Sequence, residues 1–392
     1  MDGNGTRAKF QPTSGQAGKS ASVRGRRGQS ALERRVISCD LLWRRGNFSG
    51  SAEIRKVLLN RYSIRGENMI QLVSVPHKGQ RMQELTTRTG RVLTFDVGGS
   101  HVAAALRTFD TLSSGSVVSG PLSAAVTLGR FLDLLYHLGL QTCGRLDDLD
   151  GAVLAMPGPF DYAAGISRMR HKLEFLCGID LRQSLAERFG WTPAQIRFVN
   201  DAEAFLLGEP GSGAAEGAQR AVGITLGTGI GSAFACKSRL VTGGQGAPPG
   251  GEIWNLPFAG GTVEGSISTN ALQRDYEVRT GRWKEVKAIA LAARSEAEAR
   301  TAFEAFGRNL GNVARDILGQ FSPEIVVLGG GISRSAHLFL PAAEKALKGA
   351  GFRLATSHLW DRAALVGGAV HWRESEGASM QQGFGAQLGG AR

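Results

Sequence analysis

The chain has 392 residues and a net charge of +12, with 42% hydrophobic and 20% charged residues. This length and apolar content suffice for one large domain or two smaller ones, and 55 glycines against 12 prolines exclude proline-rich disorder. The charge is uneven, because residues 1–90 carry a net +11 and residues 91–392 only +1. A near-neutral body argues against a broad basic face for nucleic acid, so residues 1–90 are the segment that a nucleic acid would contact.

The chain contains four cysteines, Cys39, Cys143, Cys177 and Cys236, and none lies within four residues of another. This spacing excludes a CxxC-type zinc or redox motif, and four cysteines are too few for a disulfide scaffold, so we expect reduced thiols. No run of 18 apolar residues predicts a membrane span, and residues 1–20 lack the apolar core of a secretory signal. These features favour a cytoplasmic protein.

The first 89 residues differ in character from the rest. Residues 1–35 hold few large apolar groups, which predicts disorder, because such a segment cannot bury enough surface to offset its ordering entropy. Residues 36–89 contain short apolar runs between basic residues and glycines, without the spacing of a helix-turn-helix. We therefore predict a basic, disordered extension over residues 1–89, with a small added module at residues 36–89 as the alternative.

From Arg91 onward, predicted strands alternate with predicted helices, which indicates an α/β fold. Two segments have the pattern strand, glycine turn, strand, at 91–109 and 220–236. Their separation by about 130 residues suggests two related halves that face one cleft. The other predicted elements are a buried strand at 151–159, a strand running into a helix at 196–209, a helix at 301–321, a strand with three glycines at 325–335, and a helix at 362–372.

Two glycine turns are candidates for phosphate binding, because backbone N–H groups can approach phosphate oxygens where no Cβ intervenes. In DVGGS the turn comprises Gly98, Gly99 and the hydroxyl of Ser100, and Asp96 precedes it. A carboxylate beside a phosphate is repelled unless a cation lies between them, so Asp96 predicts Mg²⁺ held through water. The second turn, LGTGIGS, supplies the candidate residues Gly227, Thr228 and Gly229.

Glycine turns also join strands without binding anything, so either turn alone is weak evidence. Neither is a Walker A motif, because no GK[ST] follows. Neither matches a dinucleotide fingerprint, because GTGIGS continues into a strand-like run instead of a helix.

Three carboxylates form the remaining candidates. Asp201 follows Asn200 at the end of a predicted strand, where it suits a general base for a hydroxyl nucleophile or, alternatively, a helix N-cap. Glu252 and Glu264 lie in glycine-rich surroundings, where paired acids suit several sugar hydroxyls. Ordinary solvated acids are the alternative for both.

Taken together and in order, six segments resemble the ROK family of sugar kinases and repressors, within the actin-like ATPase superfamily. The resemblance covers about residues 90–372. The segments are DVGGS, PGPFDYAAGI, FVNDAEAFLLGE, ITLGTGIGSA, GGEIWN and IVVLGGGIS.

The resemblance implies two ribonuclease-H-like α/β domains around a hinged cleft. These would comprise residues 90–198, completed by a helix at 362–374, and residues 199–361, with a flexible tail at 375–392. It places ATP phosphates between the first two glycine turns and the nucleoside near Gly330 and Gly331. It makes Asp201 the catalytic base. The sugar ligands that it implies are Asn200, Glu252, Glu264 and Gly158.

Two segments depart from the family pattern. The family's GEIGH reads GEIWN here, so Asn255 stands where a histidine binds sugar and zinc, and Trp254 adds bulk beside it. The family's cysteine-rich segment reads FAGGTVEGS, so we expect no structural zinc. Because histidine and asparagine offer different hydrogen bonds, the identity of the sugar stays open.

The sequence thus predicts an ATP- and Mg²⁺-dependent kinase for a hexose or N-acetylhexosamine, acting on the 6-hydroxyl, and family resemblance implies a homodimer. Polyphosphate is an alternative donor. A transcriptional regulator of the same family, which would bind DNA through residues 1–90, and a catalytically inactive sugar-binding protein are the alternative functions.

Overall fold

The computed structural model describes residues 34–37, 57–64, 67–74, 90–109, 115–123, 126–170 and 172–388, and side chains from residue 90 to residue 376. The predicted extension and the end of the predicted tail therefore lie largely outside the described residues. In the unit formed by residues 1–86, three strands make an antiparallel sheet in the order β1-β2-β3. They are β1 (Arg34–Ile37), β2 (Val57–Ile64) and β3 (Glu67–Ser74).

The second unit, residues 87–392, contains two five-stranded sheets. The strands of the first sheet are β4 (Arg91–Val97), β5 (His101–Thr108), β6 (Val118–Pro121), β7 (Gly151–Met156) and β10 (Ile196–Asn200). Its order is β10-β7-β4-β5-β6, with β10, β7 and β4 parallel and the hairpin strands antiparallel. Side chains of β7 are buried along its whole length, as expected of a strand covered on both faces.

The second sheet repeats this topology. Its strands are β11 (Arg220–Leu226), β12 (Ile230–Cys236), β13 (Arg239–Leu240), β16 (Ile325–Gly329) and β17 (Arg353–Thr356). Its order is β13-β12-β11-β16-β17, so an antiparallel hairpin again precedes two parallel strands. Two short hairpins pair β8 (Phe160–Asp161) with β9 (Ile166–Ser167), and β14 (Pro257–Phe258) with β15 (Gly261–Thr262). The common order confirms the two related halves and the α/β fold class.

The helices cover these sheets. They are α1 (Leu128–Cys143), α2 (Leu181–Phe189), α3 (Asp201–Ser212), α4 (Val263–Ile267), α5 (Thr269–Thr280), α6 (Val286–Ala292), α7 (Ala297–Asp316), α8 (Ala336–Ala346) and α9 (Ala363–Leu388). The last helix continues to Leu388, beyond residue 374 where the sequence prediction ended it. Among the described residues, no helix combines the length and the apolar character that a bilayer crossing requires.

Helices α3 and α9 pack against each other between the two sheets. Helix α3 follows a strand of the first sheet but contacts β11 and β12 of the second, whereas α9 follows the second sheet and contacts β4 and β7 of the first. Glycines permit the close approach, because a Cβ on Gly208 would lie 2.2 Å from the carbonyl oxygen of Ala363. The start of α3 therefore lies where the two halves meet.

Candidate functional site

The first glycine turn joins β4 to β5. Its backbone is closed by a hydrogen bond of 3.0 Å from the N–H of Gly98 to the carbonyl oxygen of His101. Gly99 and Ser100 are exposed, and a Cβ on Gly99 would meet no atom within 4 Å. The turn therefore offers open space at the carboxyl end of β4, and it begins two residues after Asp96.

Asn200, not Asp201, is the N-cap of α3. Its side-chain oxygen accepts hydrogen bonds from the N–H groups of Ala202, at 2.9 Å, and Glu203, at 3.2 Å. Asp201 is the first helical residue, and its Oδ1 accepts from the N–H of Ala202 at 2.9 Å. Because Asn200 performs the capping, the cap interpretation of Asp201 is wrong, and its carboxylate keeps an oxygen for other partners.

Asp201 lies close enough to Asp96 for its charge to affect the ionisation of Asp96. Burial, together with the charges of Asp201 and Asp361, raises the pKa of Asp96 to about 7. Burial also raises the pKa of Asp201, while the N–H of Ala202 and the charge of Lys172 oppose that rise. Negative charge is thus concentrated at this edge of the first sheet.

The second glycine turn joins β11 to β12 and is held by the helices after it. The N–H of Gly227 donates to the carbonyl oxygen of Gly229 at 3.2 Å, and Thr228 at the tip is exposed. The carbonyl oxygen of Gly227 accepts from the N–H of Thr269 at 2.9 Å, and Glu264 accepts from the N–H of Ile230 at 2.9 Å.

The third glycine turn follows β16 and lies against the second. Gly330 has φ +81°, and a Cβ there would lie 2.4 Å from the carbonyl oxygen of Leu226 at the end of β11. Gly331 is exposed, with no atom within 4 Å of the position that a Cβ would take. The two turns of the second sheet are therefore adjacent.

Gly231 brings the second hairpin onto the start of α3. A Cβ on Gly231 would lie 2.5 Å from Thr225 Oγ1 and 2.9 Å from the Cβ of Ala202, the residue after Asp201. This close approach needs glycine and brings the second turn near the Asp201 carboxylate.

The GEIWN segment faces the same region from the second half. The indole N–H of Trp254 donates to Glu252 Oε2 at 3.0 Å, and both side chains are exposed, as is Asn255. The charge of Glu252 contributes to the raised pKa of Glu203, which burial causes in the first place. Glu252 therefore lies near the start of α3.

Tyr162 is a site residue that sequence reasoning missed. Its hydroxyl donates to the carbonyl oxygen of Met156 at 3.1 Å and accepts from Asn200 Nδ2 at 2.9 Å. A Cβ on Gly158 would lie 3.7 Å from that hydroxyl. The only sequence signal was its place in PGPFDYAAGI, since the contact with Asn200 spans 38 positions.

The donor set at Asp96 fits a hard divalent cation better than a transition metal, because it consists of carboxylate oxygens. Burial and, secondarily, the charges of Asp201 and Asp361 raise the pKa of Asp96 to about 7, and a bound dication would favour its ionised form. Within the described part of the chain, no group of three or more His, Cys, Asp or Glu residues is arranged to hold a metal by itself.

A model of the ROK family matches residues 92–375. The chain belongs to the ROK family. It is 32% identical over 217 residues to a glucokinase from Thermotoga maritima, an alignment that covers 49% of this chain and 67% of the relative. For the first three curated relatives, the alignments span 58–67% of the relative's own length.

Solved structures of this family share the fold. A ROK family glucokinase from Streptomyces griseus, in complex with glucose and AMPPNP, matches with a TM-score of 0.57 and 22% identity, covering 71% of this chain and 98% of that one. A ROK family transcriptional regulator, described as a homolog of the E. coli MLC protein, matches with a TM-score of 0.59 and 17% identity, covering 79% and 83%. At these identities the likeness shows the fold alone, and the fold does not separate kinase from regulator.

Proposed function

We propose that this chain is an ATP-dependent sugar kinase whose general base is Asp201. The observation that carries the proposal is the carboxylate of Asp201, which begins α3 where the two halves meet, keeps an oxygen beyond its bond to Ala202, and has a pKa raised by burial. A raised pKa suits a base that must accept a proton near neutral pH. The match to a glucokinase supports a sugar as the acceptor.

In the proposed reaction, a sugar hydroxyl, the 6-hydroxyl of a hexose or N-acetylhexosamine, attacks the γ-phosphorus of ATP. The new bond joins that oxygen to phosphorus, the bond from phosphorus to the β–γ bridging oxygen breaks, and ADP leaves. The hydroxyl proton passes to Asp201. We assign acceptor binding to Asn200, Glu252, Asn255, Glu264 and Gly158.

The phosphates would lie between the turn Gly98–Ser100 and the turn Gly227–Gly229, and the nucleoside near Gly330–Gly331. Open space at Gly99 and the exposed Thr228 hydroxyl support this placement. Asp96 would hold Mg²⁺ through water, and the ion would offset phosphate charge. Positioning and electrostatic compensation account for most catalysis of phosphoryl transfer.

A panel of sugars tests this proposal directly. Purified protein is assayed for ADP formation with ATP and Mg²⁺ against hexoses and N-acetylhexosamines, and a parallel series replaces ATP with polyphosphate. We expect sugar-dependent ADP formation with one or a few related sugars. If a phosphorylated sugar forms with polyphosphate but not with ATP, polyphosphate is the phosphate donor. No turnover with any sugar would contradict the kinase assignment. A cytoplasmic location and a homodimer stay predictions.

The second candidate function is transcriptional regulation, which the likeness to the solved regulator and the net charge of +11 in residues 1–90 favour. The residues around Asp201 favour the kinase, because a regulator has no need of a base beside two phosphate turns. Sequence-specific binding to an operator DNA fragment that is lost when residues 1–90 are deleted would favour the regulator over the kinase.

A further inference from the structure

Glu264 connects two parts of the site that the sequence places far apart. Its Oε2 accepts the N–H of Ile230 at 2.9 Å, directly after the second glycine turn. The same oxygen lies 2.8 Å from the position that a Cβ on Gly229 would take. One carboxylate oxygen is therefore occupied by the turn itself, and glycine at position 229 makes room for it.

The backbone of Glu264 is attached to the GEIWN segment. Its N–H donates to the carbonyl oxygen of Trp254 at 3.0 Å, and the N–H of Val263 donates to the carbonyl oxygen of Leu256 at 3.0 Å. The segment is further tied to β12, because Ser232 Oγ accepts from the N–H of Ile253 at 3.1 Å. A continuous set of hydrogen bonds thus runs from the acceptor-binding segment to the second glycine turn.

We propose that Glu264 is a positioning residue, which fixes the second glycine turn for the phosphates and links this turn to the GEIWN segment. The kinetic consequences rest on the proposed function, whereas the structural role does not. The side-chain oxygen that accepts the Ile230 N–H restrains the turn, and losing this hydrogen bond frees the turn to adopt other conformations. The role of Glu264 as a sugar ligand then becomes secondary to its contact with Ile230.

Two substitutions distinguish the length of the Glu264 side chain from its charge. Glu264→Gln keeps an oxygen at the same distance and can accept the Ile230 N–H, but it has no charge. Glu264→Asp keeps the charge, but its shorter side chain withdraws the oxygens from Ile230. For amide exchange at Ile230 and nucleotide binding without sugar, a positioning role predicts that the glutamine variant resembles wild type and that the aspartate variant does not. A role as charged sugar ligand alone predicts that nucleotide binding is unchanged in both variants.

The experiment measures amide hydrogen exchange at Ile230 and the affinity for AMPPNP with Mg²⁺, in full-length protein without sugar. We expect Glu264→Asp to speed exchange at Ile230 and to weaken AMPPNP binding, each by about tenfold, as loss of one hydrogen bond predicts. Glu264→Gln should stay within about threefold of wild type for both. Glu298→Gln, at an exposed acid in the first turn of α7, is the matched control.

Unchanged Ile230 exchange in Glu264→Asp, or equal effects of both substitutions, would overturn the inference. If wild-type protein binds no AMPPNP, the proposed function fails, and exchange at Ile230 alone decides the positioning role. A Glu264→Asp effect on sugar KM with normal exchange and normal AMPPNP affinity would likewise overturn it in favour of a sugar ligand.

Discussion

Asn200 and Tyr162 are joined by a hydrogen bond of 2.9 Å from the side-chain amide to the phenol oxygen. The other end of the Asn200 side chain caps α3, so this residue is fixed at both ends. Because Asp201 follows it directly, the Tyr162 hydroxyl indirectly sets the position of the proposed base. Burial raises the pKa of Tyr162, so the phenol stays protonated and can donate to Met156.

Replacing Tyr162 by phenylalanine should therefore lower the catalytic efficiency with the sugar more than it affects ATP binding. We expect Tyr162→Phe to lower the free energy of unfolding by about 1 kcal/mol and to reduce kcat/KM for the sugar about tenfold. The KM for ATP should not change. Tyr136→Phe, in α1, is the control and should retain wild-type kinetics. Equal kinetics in Tyr162→Phe and wild type would contradict a role for the phenol in positioning α3.

Gly99→Ala tests the phosphate assignment of the first turn. A Cβ there meets no protein atom within 4 Å, so the free energy of unfolding should hardly change. The added methyl would occupy the space that we assign to a phosphate, so KM for ATP should rise about tenfold, a change of about 1.4 kcal/mol. An unaltered KM for ATP would place the phosphates elsewhere.

Gly330→Ala should destabilise the protein, in contrast to Gly99→Ala. Its φ of +81° and the 2.4 Å approach to Leu226 O mean that an alanine must distort the backbone. We expect a loss of about 1–3 kcal/mol in the free energy of unfolding, measured by denaturant titration. A Gly330→Ala protein as stable as the Gly99→Ala protein would show that the third turn tolerates a side chain.

A buried carboxylate outside the site holds the loop before α9. Glu209 accepts hydrogen bonds from the Ser357 hydroxyl and, at 2.6 Å, from the N–H of Ala214, and Ser357 Oγ accepts from the N–H of Trp360 at 2.8 Å. Ser357→Ala should cost about 2–3 kcal/mol of unfolding free energy, because it leaves buried polar groups unpaired. Thr301→Ala, whose hydroxyl bonds only to the preceding turn of α7, should cost no more than about 0.5 kcal/mol.

His371 predicts a pH dependence of stability. Burial and, secondarily, the charge of Arg197 lower its pKa to about 4. An unfolded histidine titrates near 6.5, so between about pH 6.5 and 4 the unfolded state binds a proton that the folded state does not. The stabilisation is fully present above about pH 6.5 and is lost as pH falls towards 4.

The measurement is the free energy of unfolding of wild type and His371→Gln between pH 7 and pH 4.5. Wild type should lose more stability over this range, by up to about 1.4 kcal/mol per pH unit. His137→Gln, at an exposed histidine of α1, should follow wild type. Parallel curves for wild type and His371→Gln would contradict the buried, neutral state of His371.

The sequence predicted what depends on local pattern. The two hairpins at 91–109 and 220–236 were recognisable, because in each of them apolar runs flank glycines that favour a turn. The structure confirms both hairpins. The helix at 301–321 was recognisable from the spacing of its apolar residues, and α7 covers most of it.

Contacts across the chain were not predictable in this way. From the sequence, the N-cap of α3 was an alternative to the role of general base for Asp201. Asparagine and aspartate both favour the cap position, and only the backbone geometry shows that Asn200 takes it. Tyr162 and the contact of Glu264 with Ile230 depend on tertiary approach over 38 and 34 positions. No periodicity encodes such pairs.

The most direct test of the proposed base is Asp201→Asn, assayed with the sugar that the panel identifies. Asparagine preserves the shape and the bond from Ala202 but cannot accept the hydroxyl proton. The account predicts that kcat falls by at least about 10²-fold, whereas AMPPNP affinity stays within about threefold of wild type. A wild-type kcat in Asp201→Asn would contradict the assignment of Asp201 as the base. A fall in kcat in Glu203→Gln instead would assign the base to Glu203.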